Sequence, residues 1–335
     1  MVNRSASLEW LRVAACLAVV VLHAAAGYIY QFGQISLVEW QFANVVDSVT
    51  RWCVPVFIML SGAVNLHERN IAAGDFYKRR FNRLGPVIVF WSGVYVWYRH
   101  AAHDVPLTLE VVGQALLAGT PYYHLYFLFL IAGLYLITPL LSAAAVKLTG
   151  YQLFISGMVL TLVAMFAAGT GGAGVNVFSR FAPYVGYYIL GAALVRLEFS
   201  PRAAALTFAV SVGATAVGTW SLVEHLGIGS RWALYLYSYL SPTVIPMSIA
   251  AFVLGLSLFR GEAGPILRRI SGLTMGVYLL HLMVLEPISW WLPRIGLAAN
   301  NAIIDLPIQA ALASLITFLL VGIGARIPGI RSVLI

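Results

Sequence analysis

Charge is spaced along this chain so that stretches long enough to cross a bilayer lie between one charged group and the next. No Asp, Glu, Lys or Arg occurs between Arg12 and Glu39, and none from Phe127 to Val146. A run of about 20 apolar residues spans the hydrocarbon core of a membrane, and ten such runs are readable in the 335 residues. Composition supports the same reading. The apolar share is 61% and the charged share 10%, where soluble domains carry about 45–50% and about 25%. So few charges cannot cover the surface of a soluble globule, which excludes soluble enzymes, nucleic-acid-binding modules and disulfide scaffolds. The expected fold is an all-α polytopic membrane protein of about ten transmembrane helices, with both termini cytoplasmic and residues 1–335 forming a single domain.

The expected spans are 8–30, 45–66, 84–97, 123–146, 151–168, 184–197, 203–222, 234–259, 272–292 and 304–324. The segment 107–118 is apolar but too short to cross, and reads as a helix lying at the interface. Arg4 followed by the run Val13–Leu22 resembles a signal peptide, but Glu9 and Arg12 interrupt its first part, so cleavage is not expected. Orientation follows from the cations in alternate loops. One set holds Arg4, Arg69, Lys78, Arg79, Arg80, Arg83, Lys147, Arg196, Arg202, Arg260, Arg268, Arg269, Arg326 and Arg331, fourteen in all. The other holds Arg51, Arg99, Arg180, Arg231 and Arg294, which is five, so the first set is expected on the cytoplasmic side. Cys16 and Cys53 lie within apolar runs and read as small buried hydrophobes rather than metal ligands or a disulfide.

Ionisable groups inside a span are costly and by default mark function, which singles out Arg12, His23, His281 and Glu286. Arg12 and His23 are eleven residues apart, about 1100° of helix rotation, so they share a face with roughly 16 Å between them. That suits an anion held low and an imidazole acting higher up; a snorkelling arginine and a packed histidine are the alternative. Arg80 and Arg83 become neighbours if their segment is helical, able to fork onto phosphates or simply to anchor on anionic lipid. Asp47, Arg51, Ser61 and Asn65 form one stripe of the second span. Ser61-Gly62 reads as a small-residue helix contact rather than a nucleophile. Thr274, Tyr278 and His281 form another stripe, with Glu286 about 140° round from His281. His124 opens the fourth span beside Tyr122 and Tyr123, where an aromatic belt is the alternative to a binding role.

Taken in order, several motifs resemble one family. They are Arg12–ten residues–His23, Pro55-Val56-Phe57 to Ser61-Gly62, and Arg80–two residues–Arg83 ending in Leu84-Gly85-Pro86. His124-Leu125-Tyr126-Phe127-Leu128 with Pro139, and Ser271-Gly272 through Tyr278-Leu279-Leu280-His281, follow. Together they are similar to the acyltransferase-3 family of bacterial membrane acyltransferases over nearly the whole chain. Ala43-Asn44-Val45 to Arg51, and Leu234 to Tyr237 with Pro242, look most like the branch that O-acetylates the enterobacterial common antigen. Ala63 and Tyr126 depart from the family's usual aromatic and Trp.

The resemblance implies ten core helices and transfer of an acetyl group from cytoplasmic acetyl-CoA to a hydroxyl of a cell-surface or lipid-linked glycan on the outer side. It makes His23 the catalytic histidine with Arg12 in the same motif, and Arg80 and Arg83 the coenzyme-binding pair, with Arg12 assisting. His281, Tyr278, Asp47, Arg51, His124 and Glu286 are the candidates for holding the acceptor. His23 is expected to act either as general base or as acetyl-accepting nucleophile, with Asp47 or Glu286 available to orient an imidazole. No metal and no nucleic acid are expected. The partners are acetyl-CoA, the saccharide, membrane lipid and a possible second copy of the chain, in a bacterial inner membrane. A proton-coupled transporter or flippase relaying through His23, His281 and Glu286 is the main alternative, but it gives the arginine pair no task. An intramembrane serine protease using Ser61 and His281 lacks glycines framing the serine.

Overall fold

The computed structural model describes residues 6–66, 72–170 and 176–334, and among them the fold is built from helices. In chain order they are α1 Ala6–Ile29, α2 Leu37–Thr50, α3 Cys53–Asn65, α4 Ala73–His103, α5 Leu109–Leu117, α6 Tyr126–Ala145 and α7 Gly150–Gly169. Then come α8 Val185–Leu194, α9 Pro201–Leu226, α10 Val244–Leu258, α11 Pro265–Arg294, α12 Ala302–Gly324 and α13 Pro328–Leu334, with 3-10 turns at Ala182–Tyr184 and Tyr235–Tyr237. Starts are set by local chemistry. Ser36 with Glu39, and Thr149 with Gln152, each form a reciprocal capping box. Ser200 and Gly264 stand before Pro201 and Pro265, whose missing N–H costs nothing at a first helical position. Gly227, at φ 76°, follows α9 in a conformation that residues with a Cβ rarely adopt.

Seven helical stretches are long and apolar enough to cross a membrane: Ala6–Ile29, Leu37–Asn65, Tyr126–Ala145, Gly150–Gly169, Pro201–Leu226, Pro265–Arg294 and Ala302–Gly324. Each overlaps a span expected from the sequence. The three other expected spans are also at least partly helical, but in altered form. Residues 84–97 are the middle of α4, which begins early enough to carry Lys78, Arg79, Arg80 and Arg83 on its first turns. Residues 184–197 contain the ten-residue α8, and 234–259 are irregular until Val244. The second span starts eight residues earlier than expected and is broken at Arg51 and Trp52. The short α5 buries none of its residues, as a helix lying on the periphery would. Arg4 and Arg69, both counted for orientation, lie outside the described residues.

The chain forms two compact units. One contains the described residues up to Phe57 and Glu198–Ala325. Its centre is α1, which buries most of its side chains and packs on α2, α10, α11 and α12. The other contains Ile58–Leu197 with the described residues from Arg326 on. There the end of α3 packs against α8 so closely that backbones touch. A Cβ on Gly62 would lie 1.8 Å from the Tyr188 carbonyl oxygen, and one on Gly191 would lie 1.8 Å from that of Met59. Both contacts pair positions that sum to 250, the register of an antiparallel pair. Ser61-Gly62 is thus the small-residue contact that its sequence suggests.

Gly62→Ala and Gly191→Ala are each expected to destabilise the protein by about 3 kcal/mol, the upper part of the usual range for overpacking. Gly93→Ala, where an added Cβ meets nothing within 4 Å, is expected to leave stability unchanged or slightly raised. Thermal melts in detergent check this; equal melting temperatures for all three variants would contradict the close approach.

Candidate functional site

The two stripes read from the sequence, one on α1 and one on α11, meet in the first unit. Arg12 Nη1 donates to Ser271 Oγ at 3.3 Å, Cys16 Sγ donates to the Thr274 carbonyl at 3.5 Å, and the His23 and His281 rings stand 5.2 Å apart. The sequence separations are 259, 258 and 258. A nearly constant separation means that α1 and α11 run parallel in fixed register. The helical period alone puts residues 12, 16 and 23 on one face, so a single helix contact carries both the arginine and the histidine of the motif.

At the lower end Arg12 is tied down. Its Nη1 donates to Glu9 Oε2 at 2.9 Å as well as to Ser271, and the Ser271 hydroxyl donates to the same Glu9 oxygen. Glu9 is 6% exposed and Ser271 2%, while the Arg12 side chain keeps 34% of its surface. The guanidinium is therefore oriented from its buried side and presented on its open side. Neither Glu9 nor Ser271 was singled out for this from the sequence. The signal was present for Glu9, a buried acid three residues before Arg12 on the same helix.

At the upper end His281 is fully buried, and its Nδ1 lies 2.6 Å from the Tyr278 carbonyl oxygen. A carbonyl only accepts, so Nδ1 carries the proton and Nε2 is the basic nitrogen. His23 is half-buried against it. In the same unit Arg51 is bound by Asp47, with its guanidinium 4.1 Å from the centre of the Tyr237 ring. Asp47 is thus engaged with Arg51 through Oδ1 rather than with an imidazole. Glu286 lies half-buried on α11, five residues beyond His281. Tyr237, whose carbonyl accepts from Arg51, and Asn44, which accepts from the Tyr237 hydroxyl, were quoted in the sequence only as parts of motifs.

Arg80, Arg83 and His124 belong to the second unit. Arg80 and Arg83 are on one face of α4 but in different surroundings. Arg80 is half-buried, donates to Asn65 Oδ1 at 2.5 Å and lies 5.5 Å from the centres of both the Phe76 and Tyr135 rings. Arg83 is exposed. Asn65 is anchored by its own donation to the Ser61 carbonyl at 2.8 Å, so Arg80 is a pre-aimed cation and Arg83 an exposed neighbour of the same charge. That combination fits a phosphate-bearing ligand with one fixed and one adaptable contact. His124 is buried among the rings of Tyr95, Tyr122 and Tyr123, 4.8 to 6.1 Å away. This matches the aromatic-belt alternative at least as well as a binding role. Among the described residues no group of three or more His, Cys, Asp or Glu could hold a metal.

A family model described as an acyltransferase domain, that of the acyltransferase-3 family, matches residues 5–326. No curated protein and no solved structure matches.

Glu9→Gln is expected to lower stability by about 1 kcal/mol, because one hydrogen bond to a charged group is weakened and Arg12 loses its counter-ion, offset by partial exposure. Ser271→Ala should cost a similar amount, and the double variant less than the sum, since both act through one guanidinium. Chemical denaturation in detergent measures it; strict additivity would mean the three groups are not one network.

Proposed function

The chain belongs to the acyltransferase-3 family through residues 5–326, and on that premise we propose that it is a multi-pass membrane O-acetyltransferase using acetyl-CoA from the cytoplasm. The acceptor is a hydroxyl of a cell-surface or lipid-linked glycan on the outer side of a bacterial inner membrane. The observation that carries this reading is the α1–α11 contact, which holds Arg12 and the His23–His281 pair on one face about 16 Å apart along the helix. A transporter also uses intramembrane ionisable groups, but neither family membership nor a pre-aimed Arg80 favours it.

In this scheme the coenzyme's phosphates dock on Arg80 and Arg83, with Asn65 keeping Arg80 in aim. Arg12, open on one side, is available to an anionic or carbonyl oxygen. The thioester is the group on which His23 acts, while the charged nucleotide stays outside the hydrocarbon. His23 acts as general base, taking the proton of the acceptor hydroxyl as its oxygen attacks the thioester carbon. The C–S bond breaks and the thiolate leaves with the coenzyme. His281 holds the His23 ring from its buried side, and Tyr278 fixes His281 through the main chain. Ten crossings, with both termini on the coenzyme side, complete the proposed topology. The stretches Ala43-Asn44-Val45 to Arg51 and Leu234 to Tyr237 with Pro242 support a glycan like the enterobacterial common antigen as the acceptor.

Membranes containing the chain are incubated with radioactive acetyl-CoA and their saccharides extracted. Wild type is expected to label a saccharide with base-labile acetyl, and His23→Ala to lose at least about a hundredfold in rate, the usual contribution of a general base, while still binding coenzyme A. Arg80→Ala/Arg83→Ala is expected to lose coenzyme binding by tenfold or more. Absence of both label and coenzyme binding in wild type would refute the reading.

A further inference from the structure

Two interruptions of helical backbone meet in the first unit. One is the break at Arg51 and Trp52 between α2 and α3; the other is the irregular stretch 234–243 with its 3-10 turn Tyr235–Tyr237. Non-helical backbone at membrane depth is tolerated where protein buries it or where it lines a polar cavity. Most of the polar groups here satisfy each other. Arg51 Nη1 donates to the Tyr237 carbonyl at 3.3 Å, the Tyr237 hydroxyl donates to Asn44 Oδ1 at 2.7 Å, and Asn44 Nδ2 donates to the Ala216 carbonyl at 2.9 Å.

Asp47 is different. Its side chain is fully buried, and Oδ1 accepts from Arg51 Nε. Oδ2 is buried with no hydrogen-bond partner among the described residues. A buried carboxylate is tolerable only when its remaining lone pairs are met, and an ionised carboxylate oxygen can only accept. The complement is therefore an O–H or N–H donor. Its position is also defined. Trp40 Nε1 donates to the Ile29 carbonyl at 2.9 Å, joining α1 and α2 as a tight antiparallel hairpin. Six residues back from Ile29 is His23, and seven on from Trp40 is Asp47, so both lie about two helical turns from that contact, on the same side of it. Asp47 and Arg51 cancel in charge, leaving no surplus cation to attract an anionic group.

We propose that Asp47 is the acceptor-recognition group: its Oδ2 accepts a hydrogen bond from a hydroxyl next to the one acylated at His23, on a neutral, hydroxyl-rich saccharide. This rests on the acetyl-transfer reading above. It makes Arg51 the residue that holds the carboxylate in place, Tyr237 the group that holds Arg51, and Asn44 the group that anchors the Tyr237 hydroxyl.

The saccharide labelled by wild-type membranes is isolated, freed of acetyl with mild base and returned as acceptor to the purified full chain in detergent. If wild type labels no saccharide, the acetyl-transfer reading fails and this proposal fails with it. Otherwise Asp47→Asn is expected to raise the KM for that saccharide by about tenfold to a hundredfold, the worth of one hydrogen bond to a charged group. The KM for acetyl-CoA should stay within twofold. An unchanged saccharide KM overturns the proposal and leaves Oδ2 to an ordered water only. A fall in kcat with both KM values unchanged overturns it too, reducing Asp47 to a support for Arg51. Asp47→Glu carries the test if Asp47→Asn does not fold, as judged by coenzyme A binding. With its carboxylate one methylene further out, it should raise the saccharide KM severalfold, and no rise would overturn the proposal.

Discussion

The parallel contact between α1 and α11 is the constraint on which the candidate site depends. Three side chains of α1, at positions 12, 16 and 23, find partners on α11 at a nearly constant separation of 258 or 259 residues. A slip of one residue would turn each of them by about 100° and undo all three contacts together. The arginine and the histidine therefore cannot be adjusted separately. The register is further held by a bond from the Ala6 amide to the Gly261 carbonyl at 2.9 Å, at the start of both helices. Long-range order in this unit is thus fixed by polar groups, in surroundings where apolar side chains alone would discriminate weakly between registers.

The same economy governs the buried charges. Glu9 and Arg12 share Ser271, and Asp47 pairs with Arg51, which in turn bonds the carbonyl and lies over the ring of Tyr237. Each pair is formed at a spacing of three or four residues, the first within α1 and the second between α2 and the residue that caps its end, so helix formation brings the partners together before tertiary packing desolvates them. In the second unit Arg80 is placed by a side chain of another helix and by two rings. Arg83, three residues on, is left to solvent or ligand. Residues that look equivalent in a motif have different physical tasks.

Helix positions were largely legible in the sequence because apolar runs bounded by charge are a strong signal, and α1, α6, α7, α9, α11 and α12 fall where those runs predict. The break at Arg51 and the irregular stretch before Val244 were not read, although Pro55, which has no N–H for the Arg51 carbonyl, and Pro242 mark them; the apolar run through Trp52, Cys53 and Leu236 hid them. The face shared by Arg12 and His23, and that shared by Thr274, Tyr278 and His281, followed from helical period alone. That these faces meet is a tertiary fact that period cannot supply. The roles of Ser271, Asn44, Asn65 and Tyr237 escaped for the same reason: all four are neutral polar residues of ordinary appearance, and only their neighbours give them a role, whereas the pairing of Glu9 with Arg12 follows from their spacing. Asp47 was visible as a buried acid, but its engagement with Arg51 instead of an imidazole was not.

The central claim is that His23 and His281 work as one unit because α1 and α11 lock them together. A double-mutant cycle on acetyl transfer tests this most directly, with His23→Ala, His281→Ala and the double variant each measured for kcat at saturating acetyl-CoA. The account predicts that the double variant is about as slow as His23→Ala alone, as for residues that act together. Losses that multiply independently would contradict it.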